Sequence, residues 1–203
     1  SVRQTSSIAQ RLYQGMQLGG DNIVGLISYM RTDSTTLSKD CLKDIDGFLS
    51  KNHPQFKSKD ERKYSKKVKN AQEAHEAIRP TSIDNTPEKV KQYLEDQEYK
   101  LYDLIWKRTV ASQMTDAVYN QVTLEFDLAD KYEFRYSGSF LRENGFKEIY
   151  DLSDNDEKDK FNKKILEDIK TGDELNIKSI NLEQKFTQPP PRYNQASLIQ
   201  ALE

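Results

Sequence analysis

Of the 203 residues, 35% are hydrophobic and 32% are charged, a balance that suits an open, multi-lobed molecule with much solvated surface. The formal net charge of −2 excludes a protein that binds nucleic acid through bulk charge, so any such binding must come from local basic patches. Cys41 is the single cysteine, which excludes an internal disulfide and a cysteine-rich zinc site, and no apolar run approaches the roughly 20 residues of a membrane-spanning helix. No signal peptide is legible, so the chain is expected to be soluble and intracellular. Its first residue is Ser1, and 197–203 stops inside a helical pattern without a C-cap, so it is expected to be an excised fragment.

Residues 5–16 carry Ile8, Leu12 and Met16 at helical spacing, with Thr5 or Ser6 as N-cap, and Gly19-Gly20-Asp21-Asn22 forms the following turn. The apolar run Ile23 to Ile27 then delivers Tyr29 and Arg31 before five polar residues, Thr32 to Thr36. In an extended segment alternate side chains share a face, so Tyr29 and Arg31 would point together while Met30 turns inward. A phenol and a guanidinium placed that way suit a single phosphate. The same spacing also fits a strand-ending tyrosine beside a solvated arginine.

From Ser38 a second helix is predicted to about Asn52, with Leu42, Ile45 and Leu49 on one stripe and His53-Pro54 as its stop. Residues 57–69 are rich in Lys and Arg and read either as a solvated loop or as one facing phosphate. Thr86-Pro87-Glu88 starts a helix that ends near Leu94. A longer helix spans about Gln97 to Met114, with Leu101, Leu104, Ile105, Val110 and Met114 inward. Trp106 reads as core, and Cys41 as a small packing residue.

The period then changes to two. Val118 to Leu128, then Tyr132, Phe134 and Tyr136, then 146–150 and 174–177 alternate as strands, giving an antiparallel β region over about 115–186. Pro189-Pro190-Pro191 is a stiff connector, and Arg192 to Glu203 begins another helix. Asp154-Asn155-Asp156 spells an Asp-x-Asp. With Lys158 at the next alternate position and no buried strand leading in, it reads as loop and not as a metal site.

Four separated stretches together resemble the type IA DNA topoisomerase family, in that family's order. They are 29–35 (Tyr-Met-Arg-Thr-Asp-Ser-Thr), 73–81 around His75, 104–114 ending in Ala111-Ser112-Gln113-Met114, and 186–199 around Pro189-Pro190-Pro191-Arg192. The resemblance implies a multi-domain α and β fold. A mainly helical domain at 1–114 would carry the active-site tyrosine, an antiparallel β hinge would cover 115–186, and 187–203 would begin a DNA-binding gate. It further implies Tyr29 as nucleophile, Arg31 as its charge-stabilising partner and His75 as a proton carrier or phosphate contact. Arg31, Ser34, Thr35, Arg79 and Arg192 would meet the DNA backbone; Ser34 and Thr35 suit helix capping as well, and His53, next to a proline after a helix, reads as structural or solvent-facing.

The chemistry that this resemblance implies is transesterification on single-stranded or negatively supercoiled DNA, without ATP, by a monomer in the bacterial cytoplasm at the nucleoid. Mg²⁺ would be held by acidic groups outside this chain, with no cofactor within it, so the fragment alone is expected to be inactive. Rival readings are a non-enzymatic single-strand-binding module in which Tyr29 stacks on a base, and a decatenating or reverse-gyrase-like relative.

Overall fold

The computed structural model describes residues 1–32, 34–64, 76–128, 131–150, 162–165 and 168–202. His75, residues 65–69 of the basic stretch and Asp154-Asn155-Asp156 lie outside the described residues. The chain combines helices with two antiparallel strand pairs and divides into two compact units. One, here the helical unit, comprises 3–119 and 141–153, and the other, the strand unit, comprises 1–2, 120–140 and 154–203. This division differs from a break at residue 115, because 115–119 and 141–150 lie with the helices.

In the helical unit, α1 (Val2–Gln14) buries Ile8, Ala9 and Leu12. Gly15 ends it at φ +120°, a conformation that side chains other than glycine rarely adopt, and a Cβ there would collide with Ile23. That turn lets β1 (Met16–Gln17) pair antiparallel with β2 (Ile23–Val24), Met16 opposite Val24. Beyond β2 the run dives into the core, where Leu26 and Ile27 are fully buried. Helix α2 (Lys39–Asn52) begins where expected: the Ser38 hydroxyl accepts from the Cys41 amide, and His53 closes it before Pro54. Its buried stripe is Cys41, Ile45 and Leu49, with Leu42 half-buried. His53 stands beside the Phe48 ring, consistent with a structural role.

The helix expected after Thr86 is a single turn, α3 (Pro87–Val90), continued by a 3₁₀ turn to Tyr93. Helix α4 (Asp96–Ala111) follows, its start fixed by a capping box between Glu95 and Glu98. Of the residues expected to face inward, Val110 and Met114 are buried, Leu101 and Ile105 pack on the core, and Trp106 is buried as expected; the departure is that Tyr102 is buried while Leu104 is 41% exposed. The cause lies in the aromatic side chains, which offer the largest area to bury and whose polar tips find carbonyls nearby. Tyr102 donates to Asn85 O at 2.6 Å, Trp106 Nε1 donates to Ile83 O at 3.1 Å, and Phe48 meets Trp106 edge-on at 5.3 Å.

Of the expected strands, two form: β3 (Val118–Leu128) and β4 (Tyr132–Glu143), joined as a hairpin. Thr123 meets Ser137 and Glu125 pairs with Arg135, the falling-against-rising register of antiparallel strands. Residues 146–150 are not a strand. Gly145 turns the chain at φ +50°, its Cα so close to Asp116 O that a Cβ would collide, and a 3₁₀ turn (Gly145–Glu148) follows. Phe146 then donates its amide to Thr115 O and packs on the helical core. Residues 174–177 also form no strand; Leu175 and Ile177 are each 54% exposed, and no described strand lies beside them to complete a ladder. In the last helix, α5 (Gln195–Leu202), no residue is buried.

Trp106→Ala should destabilise the chain by about 3–5 kcal/mol in urea unfolding, whereas Leu104→Ala should cost well under about 1 kcal/mol. Equal losses would contradict this assignment of the buried face.

Candidate active site

The polar stretch after β2 is a loop whose two feet are held by one residue. At the outgoing foot, the Ser28 hydroxyl donates to Ala77 O at 2.7 Å; at the returning foot, the Ala77 amide donates to Thr36 O at 2.8 Å. Ala77 thus closes 29–35 into a clasped excursion. Behind it, Ser28 N donates to Arg79 O, Arg79 N donates to the Ser28 hydroxyl, and Ile27 bridges to Pro80. Segment 76–81 therefore runs as a splint along the buried end of the apolar run.

Within the excursion the alternation expected from the sequence is present, although the backbone is not a regular strand. Tyr29 is 51% exposed and Arg31 is exposed, while Met30 packs on the core. The Arg31 amide folds back to Tyr29 O at 2.8 Å, a three-residue turn about Met30. The Tyr29 ring is met edge-on by Tyr13, at 5.2 Å between centroids, from the end of α1. Gly25 permits this region's close packing, since a Cβ there would lie 2.8 Å from Tyr13 O.

Beyond Arg31 the hydroxyls divide by role. The Ser34 Oγ accepts from the Thr36 amide at 3.1 Å, which leaves its own proton for an outside acceptor. Thr35 donates its proton to Tyr64 O at 2.6 Å, and the Tyr64 hydroxyl donates to Ser112 O at the end of α4. Helix α2 is capped by Ser38 and not by Ser34 or Thr35. An open groove beside the excursion is lined by Thr32 and Ser34, by Leu101, Leu104 and Ile105 of α4, and by cations that include Lys39 and Lys63. That groove is where the exposed Leu104 lies.

Other expected contacts lie elsewhere. The Arg79 side chain is 17% exposed and turned into the protein. Its Nε and Nη2 grip the two Glu76 oxygens at 2.6 and 3.0 Å, and Nη1 donates to Pro80 O. Glu76 Oε1 also accepts the Ser38 amide at 2.8 Å. Burial works against the Glu76 charge, yet the hydrogen bonds from Arg79 and Ser38 outweigh it and hold the carboxyl below its ordinary value of 4.5. In the basic stretch, Lys57 pairs with Asp46 at 2.6 Å and Arg62 with Asp116 at 2.7 Å, so these two cations serve the fold. Burial pushes the Cys41 thiol up to about 11, as suits a packing residue. Arg192 is exposed and belongs to the strand unit. Among the described residues no group of three or more His, Cys, Asp or Glu could hold a metal ion.

Ser28, Ala77, Glu76 and Tyr13 hold the loop at positions that the sequence pattern did not single out. Three act through hydrogen bonds or ring contacts between positions far apart in the chain, and Ala77 acts through its backbone alone, so none leaves a local signal.

A family model described as DNA topoisomerase matches residues 1–203. The chain belongs to the DNA topoisomerase family. DNA topoisomerase 1 of Rickettsia felis is 45% identical over 205 residues, and that of Xylella fastidiosa 44% over 212. Each alignment covers 100% of this chain but only 26% and 25% of those proteins, so the chain spans about a quarter of the curated relatives it matches. Full-length topoisomerase I from Thermotoga maritima is similar in structure, with a TM-score of 0.70 and 28% identity, covering 100% of this chain and 31% of that one.

In this topoisomerase-family chain the Glu76 carboxyl gives a pH signature. Its folded-state value is depressed, so its stabilisation is present above about pH 4.5 and is lost as the pH falls through the folded value. Glu76→Gln should lower the urea midpoint at pH 6 and make its fall between pH 6 and pH 3 shallower than in the parent. An unchanged acid slope would contradict the assignment.

Proposed function

We propose that this chain is the central part of a type IA DNA topoisomerase that relaxes negatively supercoiled DNA by transient cleavage of one strand, without ATP. The observation that carries the reading is the half-exposed Tyr29 phenol on a clasped loop, with Arg31 exposed two residues on, in a chain of this family.

Tyr29 Oη attacks the phosphorus of a backbone phosphodiester. The phenol gives up its proton, the Oη–P bond forms, the P–O3′ bond breaks, and the 3′ oxygen takes up a proton to leave a free 3′-hydroxyl. The other strand passes, and the 3′-hydroxyl attacks the phosphotyrosine to reverse the exchange. One phosphodiester is traded for another, which is why no nucleotide hydrolysis is needed. Arg31 offers paired N–H donors to the non-bridging oxygens as their charge grows in the transition state, a task for which a planar, permanently charged fork is suited. His75, one residue before the splint in the chain, carries a proton or contacts the phosphate. Ser34 retains a donor for a backbone phosphate, whereas Thr35 has given its proton to Tyr64 O. Arg192 contacts the DNA backbone from the strand unit.

The described residues do not fit a magnesium ion, since no cluster of acids comes together among them. We place the ion on acidic groups outside this chain, and the 203-residue piece therefore holds the nucleophile without being active alone.

Arg31→Lys in the complete enzyme should lower cleavage of a labelled single-stranded oligonucleotide by about 10²-fold or more, the loss expected for one transition-state donor. Cleavage near the parental rate would overturn the role given to Arg31. The isolated chain should form no covalent adduct with the same oligonucleotide in magnesium; a detectable adduct would overturn the division of labour.

A further inference from the structure

We infer that Arg79, with Glu76, is a positioning residue for the Tyr29 loop and not a phosphate contact. The inference rests on the reading of Tyr29 as nucleophile, but its structural half stands on geometry alone. All three guanidinium nitrogens of Arg79 donate to protein acceptors: Nε and Nη2 to the Glu76 carboxylate, Nη1 to Pro80 O, and Nη2 also to the Ser38 hydroxyl at 3.4 Å. With 17% of the side chain exposed, the fork faces inward. A phosphate would have to strip it from a bidentate carboxylate, which would leave the half-buried Glu76 without its partner.

The pair sits where it can set the loop. Glu76 is next to Ala77, whose backbone N–H and C=O hold the two feet of the 29–35 excursion. The Glu76 carboxylate also takes the Ser38 amide, just after the returning foot, while the Arg79 backbone brackets Ser28 at the outgoing foot. Arg79 and Glu76 thus fix the splint to the first turn of α2 on one side and to the base of Tyr29 on the other. Lysine cannot replace the fork here, because a single ammonium cannot reach two carboxylate oxygens, a carbonyl and a hydroxyl in those directions.

Two measurements on the complete enzyme test this, using Arg79→Lys, Arg79→Ala, Glu76→Gln and the Arg79→Ala/Glu76→Gln double variant. The first is amide hydrogen exchange over 28–38, which needs no catalysis. Each variant should speed exchange there at least about tenfold while leaving α4 unchanged; parental exchange would overturn the lock whether or not Tyr29 is the nucleophile. The second is oligonucleotide cleavage at saturating DNA, with binding followed against salt. The rate should fall about 10- to 100-fold in Arg79→Lys and in Arg79→Ala, with affinity within about twofold and an unchanged salt slope, and the double variant should be no worse than the worse single. An affinity loss in Arg79→Ala with the slope reduced by about 0.7, the release expected for one phosphate contact on a single strand, would overturn the inference in favour of DNA contact. So would a parental rate in Arg79→Lys. If exchange rises as expected but the parent forms no Tyr29 adduct, the proposed function fails while the lock stands.

Discussion

The loop that carries Tyr29 and Arg31 is held at both ends by one residue. Ala77 gives its amide to Thr36 O and receives the Ser28 hydroxyl at its carbonyl, so the two backbone groups of a single residue tie both feet of that loop. A nucleophile for a polymer must be exposed, and an exposed loop is ordinarily mobile because few buried contacts oppose its backbone entropy. Anchoring the feet while Tyr29 stays half-exposed at the crown resolves that conflict. Each such hydrogen bond contributes only about 0.5–1.5 kcal/mol net, but clasping a short excursion at both ends removes most of its accessible conformations at once. Met30 adds an inward apolar anchor at the crown, and Tyr13 a ring against which Tyr29 rests.

A second set of tethers gathers at the end of α4. The Gln113 side chain pairs with the Arg62 backbone in both directions, at 3.0 Å each, imitating a strand partner. Thr115 donates to Phe56 O and accepts from Phe146, so the chain leaves the helical unit and returns to it at fixed points. Gly145 has to be glycine because the returning backbone passes too close to Asp116 for any side chain. Tyr64 links this set to the loop that carries Tyr29, holding Thr35 at its carbonyl and Ser112 at its hydroxyl. The end of α4 and the loop bearing Tyr29 are therefore connected by a relay of hydrogen bonds from Thr35 through Tyr64 to Ser112, and not by packing alone.

The outline of this molecule is legible in its sequence for physical reasons. Helical spacing and Ser38 locate α1 and α2; the change of period at Val118 locates the hairpin; the Tyr29, Met30, Arg31 alternation carries over to exposure even though a three-residue turn replaces the strand. The departures share a cause. Aliphatic character favours Leu104 for the buried face, whereas Tyr102 takes that place and gains a carbonyl partner at 85 that no local pattern contains. Residues 146–150 and 174–177 alternate, yet alternation makes a strand only where a neighbouring ladder exists, and a left-handed glycine or the lack of a described partner strand decides otherwise. Arg79 has the sequence position of a cation near His75; its acid, three residues earlier, claims it. Ala77 carries no chemical signal at all, since its backbone does the holding.

Every functional assignment in this chain depends on Tyr29 as the attacking group. The direct measurement is to trap the complete enzyme on a labelled single-stranded oligonucleotide in magnesium, denature it, digest it and locate the modified peptide by mass spectrometry. The expected result is a 5′-phosphoryl adduct on the peptide containing Tyr29, with none formed by the Tyr29→Phe enzyme although that enzyme still binds the strand. An adduct on any other residue, or one that survives Tyr29→Phe, would contradict the assignment.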